Sequence, residues 1–521
     1  MGVLCGLAGS PAPALAADPP EAAALLAALE TQIVQTVERV EPTVVSIARD
    51  RAQLFGRDRG HNFDGIHIQD RHGIEEPDYI PREFGTGVLI SPNGLILTNY
   101  HVVQGGPIDG KETPESDVLY VRLTDRRGFY ARIVAADPRS DLAVIRIDAD
   151  RLPAIELGPV GEDSQVRKGQ FAIILGNPYA IARNGSPSCT FGIVSNVARS
   201  ADMEHDIPEL SPRPLQRTQR RESLHRYGTL LQIDARLNVG ASGGPVVNLR
   251  GRMIGLATSL AALQGFDGSH GFAIPVDGQF LRIVDSLKQG YEVEYGFIGI
   301  DFGRDGPTSL RGAALQEVRL RGYSGGIQIH RVVTHGPAYD AGIQNEDIIV
   351  SVDGKPVLSS GDLMREVGLM GPGHKARFTI CRLREAGEKY MEVTLAKFPM
   401  SEDRPIIATR RRREPWRGLV VDYPMARAAW RQSEDPYFLT RSVVVLDVLE
   451  GSPAAAHKEL RPGVFITHVD GKPVTTPDEF MAVAEKLAGN VALSIFTTRQ
   501  NPSVTITVEP KPPGVAPRKG P

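Results

Sequence analysis

Apolar positions recur with helical spacing from Glu21 to Arg39, an Ala- and Leu-rich stretch that predicts one helix. At "TVVSI" (Thr43 to Ile47) the composition switches to that of a strand. Residues 51–84 are polar, charged and without period, so the pattern predicts a long loop there. From Phe84 onward the chain alternates short apolar runs with Gly, Asn and Pro. "GVLISPNGLILTNYHVV" is two such runs joined by Pro92-Asn93-Gly94, a strong hairpin signal. Further strands are predicted at "VLYVRL", "ARIVAA", "LAVIRI", "FAIILG", "FGIVSNV", "GTLLQI", "GPVVN" and "GRMIGLAT". Many short strands with little helix predict an all-β barrel or sandwich. "GFAIPVDGQFLRIVDSLKQG" then returns to helix.

Beyond about residue 290 an internal repeat begins. "VDGKPV" occurs at Val352 to Val357 and again at Val469 to Val474, with "GPAYDAG" (from Gly336) and "GSPAAAH" (from Gly451) upstream of each copy. Nearly equal separations mark a duplicated domain. Each Asp-Gly turn leads into a short helix, the second announced by Thr476-Pro477-Asp478-Glu479 as a capping box with proline at the first helical position. Residues 400–415 are polar and rich in Pro and Arg, as a linker would be, and the tail "KPPGVAPRKGP" has the composition of a disordered segment.

A chain of 521 residues is too long for one core. A net charge of −3 gives no global field for nucleic acid. Three widely spaced cysteines (Cys5, Cys189, Cys381) predict neither a disulfide framework nor a zinc site. No apolar run reaches the roughly 18 residues that spanning a membrane requires. The opening "MGVLCGLAGSPAPALAADPP" ends in Ala14-Leu15-Ala16, a small-x-small cleavage signature, but lacks a basic start; a clipped secretory signal or an Ala/Pro leader both fit.

The chemistry concentrates at "NVGASGGPVVN" (Asn238 to Asn248). Glycines around Ser242 serve either a sharp strand-to-strand turn or a hydroxyl displayed beside exposed amides, as acyl transfer requires. A nucleophilic serine needs a base, and the base an orienting carboxylate. His101, at the end of the second strand of the Asn93-Gly94 hairpin, and Asp141, at the turn entering "LAVIRI", each sit where a strand meets a loop. Gly240-x-Ser242-x-Gly244 also fits a nucleophile elbow, but that fold needs strand, turn and helix in the order Ser, acid, His. Here the order is His, Asp, Ser and the chain after Ser242 continues as strand.

At this point the chain resembles the HtrA (DegP-like) family of trypsin-like serine proteases with PDZ domains. The resemblance rests on "GTGVLISPNGLILTNYHVV", "SDLAVIRI", "LGNPYA", "TFGIVSNVAR", "LQIDARLNVGASGGPVVN" and "GFAIP", followed by the duplicated unit. It implies a mainly β fold: a double β-barrel protease domain followed by two PDZ domains. The implied organisation is a truncated signal at 1–20, the protease unit with its N-terminal helix at 21–289, the first PDZ unit at 290–399, a linker at 400–415, the second PDZ unit at 416–510 and a tail at 511–521. It further implies Ser242 as nucleophile, His101 as general base and acid, Asp141 as orienting carboxylate, and the backbone N–H groups of Gly240 and Ser242 as oxyanion hole. Gly255, Leu256, Ala257, Thr258 and Ser259 resemble the edge that pairs with an extended substrate. Departures are Ala241 before the serine in place of Asn, Val239 in place of Pro, Arg236 in place of Ala, and a longer segment from Ser200 to Gly228.

A PDZ module captures a peptide C-terminus as an added strand, its carboxylate held by a backbone nest. "YGFIGI" resembles that loop in the first unit, giving Gly296, Phe297 and Ile298, and "WRGLVV" in the second, giving Gly418, Leu419 and Val420. The resemblance implies an envelope or periplasmic endopeptidase, a homotrimer or a multiple of one, taking unfolded polypeptides and C-terminal peptides. No cofactor, metal, nucleic acid or membrane span is expected. The alternative is a PDZ-based chaperone or scaffold with an inactive protease domain. Two weaker signals have simpler readings. His61 to His72 with Asp64 and Asp70 reads as an exposed polar loop ahead of a metal-sensing one, and Arg410 to Arg413 as a solvated charge run.

Overall fold

The computed structural model describes residues 20–51, 59–63, 66–70, 74–75, 81, 83–110, 117–158, 165–177, 186–199, 225, 229–237, 240–258, 270–301, 310, 312–383, 385, 387–398, 406–424, 441–496 and 504–509. The predicted N-terminal helix is α1 (Pro20–Val40). Its inner face sends the Thr36 hydroxyl and the Gln32 amide to the Leu249 carbonyl, at 2.7 and 2.8 Å, which docks the helix on the second barrel.

Strands β1 (Val44–Arg51), β4 (Glu83–Leu89), β5 (Leu95–Asn99), β6 (Asp117–Leu123), β7 (Gly128–Asp137) and β8 (Leu142–Ile147) run in the order β7-β6-β1-β4-β5-β8, and a further pairing of β7 with β8 closes the circuit. The predicted Asn93-Gly94 turn joins β4 to β5, with Gly94 at φ +79°. Between β1 and β4 the chain is not the unbroken loop its composition predicts: β2 (Arg59–Phe63) and β3 (Ile66–Asp70) pair as an antiparallel hairpin. "RGHNF" carries a single apolar residue, Phe63, and "IHIQD" alternates only across Ile66 and Ile68, too short a run to announce a hairpin within so polar a segment.

A second closed barrel follows, in the order β10-β11-β14-β13-β12-β9. Its strands are β9 (Phe171–Gly176), β10 (Ser188–Arg199), β11 (Leu230–Ile233), β12 (Pro245–Val247), β13 (Met253–Thr258) and β14 (Gly271–Pro275). Each barrel is filled by its inward residues: Ile47, Ile96, Leu119, Val121 and Ile145 in the first, Ile174, Val194, Ile233, Val246 and Ala273 in the second. A third cluster, including Leu97, Val144, Leu175 and Leu256, joins the barrels to the helix Gly278–Lys288. Its N-cap Asp277 accepts from the Phe280 amide at 2.9 Å.

The two repeat units each carry an antiparallel sheet. In the first, Ile348–Val352 lies between Ile327–Gln328 and Lys375–Cys381, and helix Ser360–Met370 starts at a Ser359/Asp362 capping box. In the second, Phe465–Val469 lies between Val443–Val448 and Val491–Phe496. Both "VDGKPV" copies form a two-residue hairpin turn with positive φ at both central residues, Asp353 and Gly354 in one and Asp470 and Gly471 in the other. The capping expectation at Thr476 is half met. Its hydroxyl accepts from the Glu479 amide, whereas the Glu479 carboxylate reaches back to Thr475 rather than to Thr476.

The segment read as a linker is tied to its neighbours. Ile407–Ala408 adds a short strand to β7, and Arg413 forms ion pairs with Glu294 and Asp478. Arg410 to Arg413 are therefore not simply a solvated charge run. Beside them, buried Lys397 meets Glu292 and Asp422 at 2.8 and 2.9 Å, tying the two ends of the first repeat to the second.

Candidate active site

His101 lies in a one-turn helix, α2 (Tyr100–Val103), directly after β5. Asp141 ends the β7–β8 turn with φ +55°, a left-handed conformation that aspartate tolerates better than most residues. The elements are locked together. The Tyr100 amide and the Asn99 side-chain amide both donate to the Asp141 carbonyl, at 2.9 and 3.1 Å, and the His101 amide donates to Asp141 Oδ1 at 3.1 Å. The His101 ring meets the same carboxylate through Nδ1, 2.8 Å from Oδ2 and 3.0 Å from Oδ1. A carboxylate only accepts, so Nδ1 carries the hydrogen and Nε2 of a neutral ring is left with its lone pair for a proton acceptor's role. The Asp141 side chain is 6% exposed and the His101 side chain 21%, so the acid is sealed and the base is reachable.

Ser242 sits in the turn leading into β12, and the surrounding glycines explain themselves by contact. Gly240 has φ +97°, and a Cβ there would lie 2.3 Å from the Asn177 carbonyl. Gly243 has φ +86°, with Thr86 O 2.0 Å from the corresponding point, and at Gly244 the Leu175 carbonyl would be 2.2 Å away. No side chain fits at any of the three. The turn is docked by the Thr86 amide on the Ser242 carbonyl (2.8 Å) and by the Gly243 amide on the Ala257 carbonyl (2.9 Å). Gly85 lies between the turn and the helix that carries His101: a Cβ there would stand 2.6 Å from Val102 Cγ1 and 3.3 Å from Ser242 O. The structure thus brings the expected base, acid and nucleophile to the junction of the two barrels.

Residues the sequence reading passed over complete this junction. The buried Thr86 hydroxyl accepts from the Asn177 amide (2.8 Å) and donates to the Gly240 carbonyl (2.7 Å), fixing the glycine that precedes the serine turn. The only sequence signal was its position between Gly85 and Gly87. Thr258 donates to Asp141 Oδ2 at 3.4 Å. Behind the acid, His225 meets the Ser140 carbonyl through Nε2 at 2.8 Å and Thr229 Oγ1 through Nδ1 at 3.1 Å. Burial lowers the His225 pKa against the pull of Asp141, so the ring stays neutral more readily than an exposed histidine.

The expected substrate edge requires correction. β13 is interior to its barrel: Leu256 pairs with Pro245 on one side and Ile274 on the other, Gly255 with Val246 and Pro275, and Ala257 exchanges hydrogen bonds with the serine turn. Gly255, Leu256 and Ala257 therefore have no open edge. Thr258 pairs with Phe272 on one side, and Ser259 lies outside the described residues.

In the first repeat unit, Gly296 and Phe297 pair with Lys397 and Ala396, buried Ile298 accepts from the Ala338 amide, and Ile300–Asp301 pairs with Arg331–Val332. In the second, Gly418 has φ +87° and its carbonyl accepts from the Leu449 amide. The Leu419 amide already donates to the Trp416 carbonyl at 2.8 Å, and both Leu419 and Val420 are buried in pairing with Val443–Val448. Leu419 is thus spent as a carboxylate donor, against expectation. Of the histidines and aspartates read as part of an exposed polar loop from His61 to His72, His72 and Asp64 lie outside the described residues. Among those described, no group of three or more His, Cys, Asp or Glu is arranged to hold a metal ion, and no helix is long and apolar enough to cross a membrane.

Residues 85–256 match the trypsin-like peptidase domain family, and residues 296–395 match the PDZ domain family. A probable periplasmic serine endoprotease DegP-like of Pseudomonas fulva (strain 12-X) is 29% identical over 428 residues, covering 82% of this chain and 78% of its own. A protein of the same name from Marinomonas sp. (strain MWYL1) is 28% identical over 481 residues, covering 89% and 91%. Among solved structures, the HtrA-type protease AlgW with decapeptide is 24% identical with a TM-score of 0.48, over 71% of this chain and 99% of that one.

Proposed function

We propose that this chain, a serine endopeptidase built from a trypsin-like peptidase domain and at least one PDZ domain, cleaves unfolded polypeptides in the periplasm with Ser242, His101 and Asp141 as its triad. The observation that carries the reading is the His101 Nδ1 to Asp141 Oδ2 bond of 2.8 Å beside the docked Ser242 turn. In this mechanism His101 Nε2 takes the Ser242 hydroxyl proton as Oγ attacks the scissile carbonyl. Asp141 stabilises the imidazolium that forms, and the same ring then protonates the leaving amine. Water repeats the cycle on the acyl-enzyme. The Gly240 and Ser242 N–H groups receive the oxyanion, Gly240 being oriented by the Thr86 bridge.

The periplasmic reading is supported by the names of the relatives. Unfolded substrate follows from the extended backbone that a protease cleft requires, paired at Thr258 and Ser259, and cleavage follows small apolar residues. In the first PDZ unit, Gly296, Phe297 and Ile298 form the carboxylate loop for a peptide C-terminus, and Ile300–Asp301 offers the edge that the peptide extends. Residues 416–510 are a second PDZ-like unit whose nest is closed at Leu419, leaving it a packing role through Lys397, Arg413 and Asp422. The working assembly is a homotrimer or a multiple of one.

The test compares one substrate protein in its native and its reduced, unfolded forms. Cleavage of the unfolded form only, lost in Ser242→Ala, is the expected result. Equal cleavage of both forms would overturn the substrate class. Binding of the unfolded form without cleavage would favour a scaffold with an idle triad.

A further inference from the structure

The turn that presents Asp141 is held from outside the peptidase domain. Residues 137–141, "DPRSD", are nearly fully buried, and Asp141 is kept in the left-handed region, a conformation that persists only where the surroundings determine it. Within the turn the Asp137 carboxylate accepts from the Ser140 amide at 3.0 Å and the Ser140 hydroxyl at 2.5 Å, an arrangement that winds the chain toward Asp141. The same carboxylate accepts from the Tyr295 hydroxyl, 158 residues away. Tyr295 directly precedes the expected carboxylate loop of the PDZ domain, and its carbonyl accepts from the Phe398 amide at 2.7 Å where the PDZ chain returns to its base.

Between these two aromatic residues lies Arg139, whose guanidinium carbon is 3.4 Å from the Phe398 ring centroid and 4.4 Å from that of Tyr295. A buried guanidinium against two rings is a strong, directional contact. It grips the middle of the turn while the phenol grips its start. Burial, then Asp137, push the Tyr295 pKa well up, so the hydroxyl remains a donor throughout the working range. The helix before the PDZ domain fixes Tyr295 in turn, because Arg282 donates to the Glu294 and Gly368 carbonyls at 3.1 and 2.9 Å.

We infer that Tyr295 and Phe398, at the base of the PDZ domain, are positioning residues for the catalytic acid, holding the 137–141 turn so that Asp141 meets His101. The inference rests on the triad reading given above. It makes the peptidase domain incomplete by itself: the geometry of its acid depends on residues that follow its final helix.

The experiment uses the full chain, a short peptide substrate and a fluorophosphonate to count working sites, with Tyr295→Phe as the main variant. That change removes one hydroxyl and keeps the ring over Arg139. Turnover per titrated site should fall by about 10- to 100-fold, the range expected when a catalytic group is displaced by up to about 1 Å, with KM unchanged. Phe398→Leu, which removes the ring from Arg139 but keeps apolar packing, should give a smaller change in the same direction. A role confined to stability would reduce the number of titrated sites while leaving turnover per site as in the wild type, and that result overturns the inference. If the wild type itself takes no label at Ser242, the triad reading fails and the inference with it.

Discussion

Replacing Thr86 by valine changes one buried hydroxyl to a methyl of nearly the same shape, so no cavity opens and the effect isolates two hydrogen bonds. The hydroxyl accepts from the Asn177 amide at 2.8 Å and donates to the Gly240 carbonyl at 2.7 Å, and Thr86 is fully buried. Water cannot replace either partner without moving the strands. Each buried group left without a bond costs about 1–3 kcal/mol, so the pair amounts to about 2–6 kcal/mol of stability. The second effect falls on catalysis. Gly240 is held at φ +97° against Asn177, and the bond to its carbonyl fixes the peptide that precedes the serine turn. Losing an oxyanion donor costs roughly 100- to 1000-fold in kcat, and a loosened one should cost at least about tenfold on that scale. Thr86→Ser keeps both bonds and loses a methyl, worth about 0.8 kcal/mol. The assay pairs urea unfolding with turnover per titrated site for both variants. Thr86→Val within about 0.5 kcal/mol of the wild type, the range of an inconsequential surface change, with undiminished turnover, would refute this reasoning.

Other consequences are as direct. Gly240→Ala should abolish turnover, since its Cβ would stand 2.3 Å from the Asn177 carbonyl in a conformation that favours glycine; a variant with near-normal activity would contradict the assigned backbone. Thr258→Val removes a long 3.4 Å bond to Asp141 Oδ2 and should lower kcat by about tenfold, near the weak end for a bond to a charged group, readable by steady-state kinetics. His225 has its pKa lowered by burial, so the unfolded chain takes up a proton there before the folded one does. Its contribution is whole above the ordinary histidine value and is lost as pH falls through the window down to the folded value. His225→Gln should therefore flatten that part of a plot of unfolding free energy against pH. Lys397→Met strands Glu292 and Asp422 without their buried cation, and urea unfolding should register a loss of about 3–5 kcal/mol.

What could be read beforehand was local or periodic. The Asn93-Gly94 hairpin, the repeated Asp-Gly turns and the helix at Pro20–Val40 follow from φ requirements and apolar spacing that neighbouring residues carry between them. The serine turn was visible because three glycines had to crowd into a few positions, and contact with Asn177, Thr86 and Leu175 accounts for all three. Pairing across the chain was not visible. Whether β13 has an open edge depends on β12 and the serine turn covering it, a fact that no residue in "MIGLAT" encodes. Nothing around Arg139 in the sequence marks it as buried, and Tyr295 and Phe398, brought in from the next domain, pack their rings against it. Likewise Arg413 resembled a solvated charge until Glu294 and Asp478 met it. The hairpin of β2 and β3 was not legible because β2 offers one apolar residue, Phe63, and β3 alternates over only Ile66 and Ile68.

Whether Ser242 is activated by His101 and Asp141 is decided by fluorophosphonate labelling, with the adduct located by mass spectrometry. A single adduct on Ser242 is expected in the wild type, none in Ser242→Ala, and labelling slowed by several orders of magnitude in His101→Ala. An unlabelled wild type, even with a C-terminal peptide present, or an adduct that forms equally fast without His101, would contradict that activation.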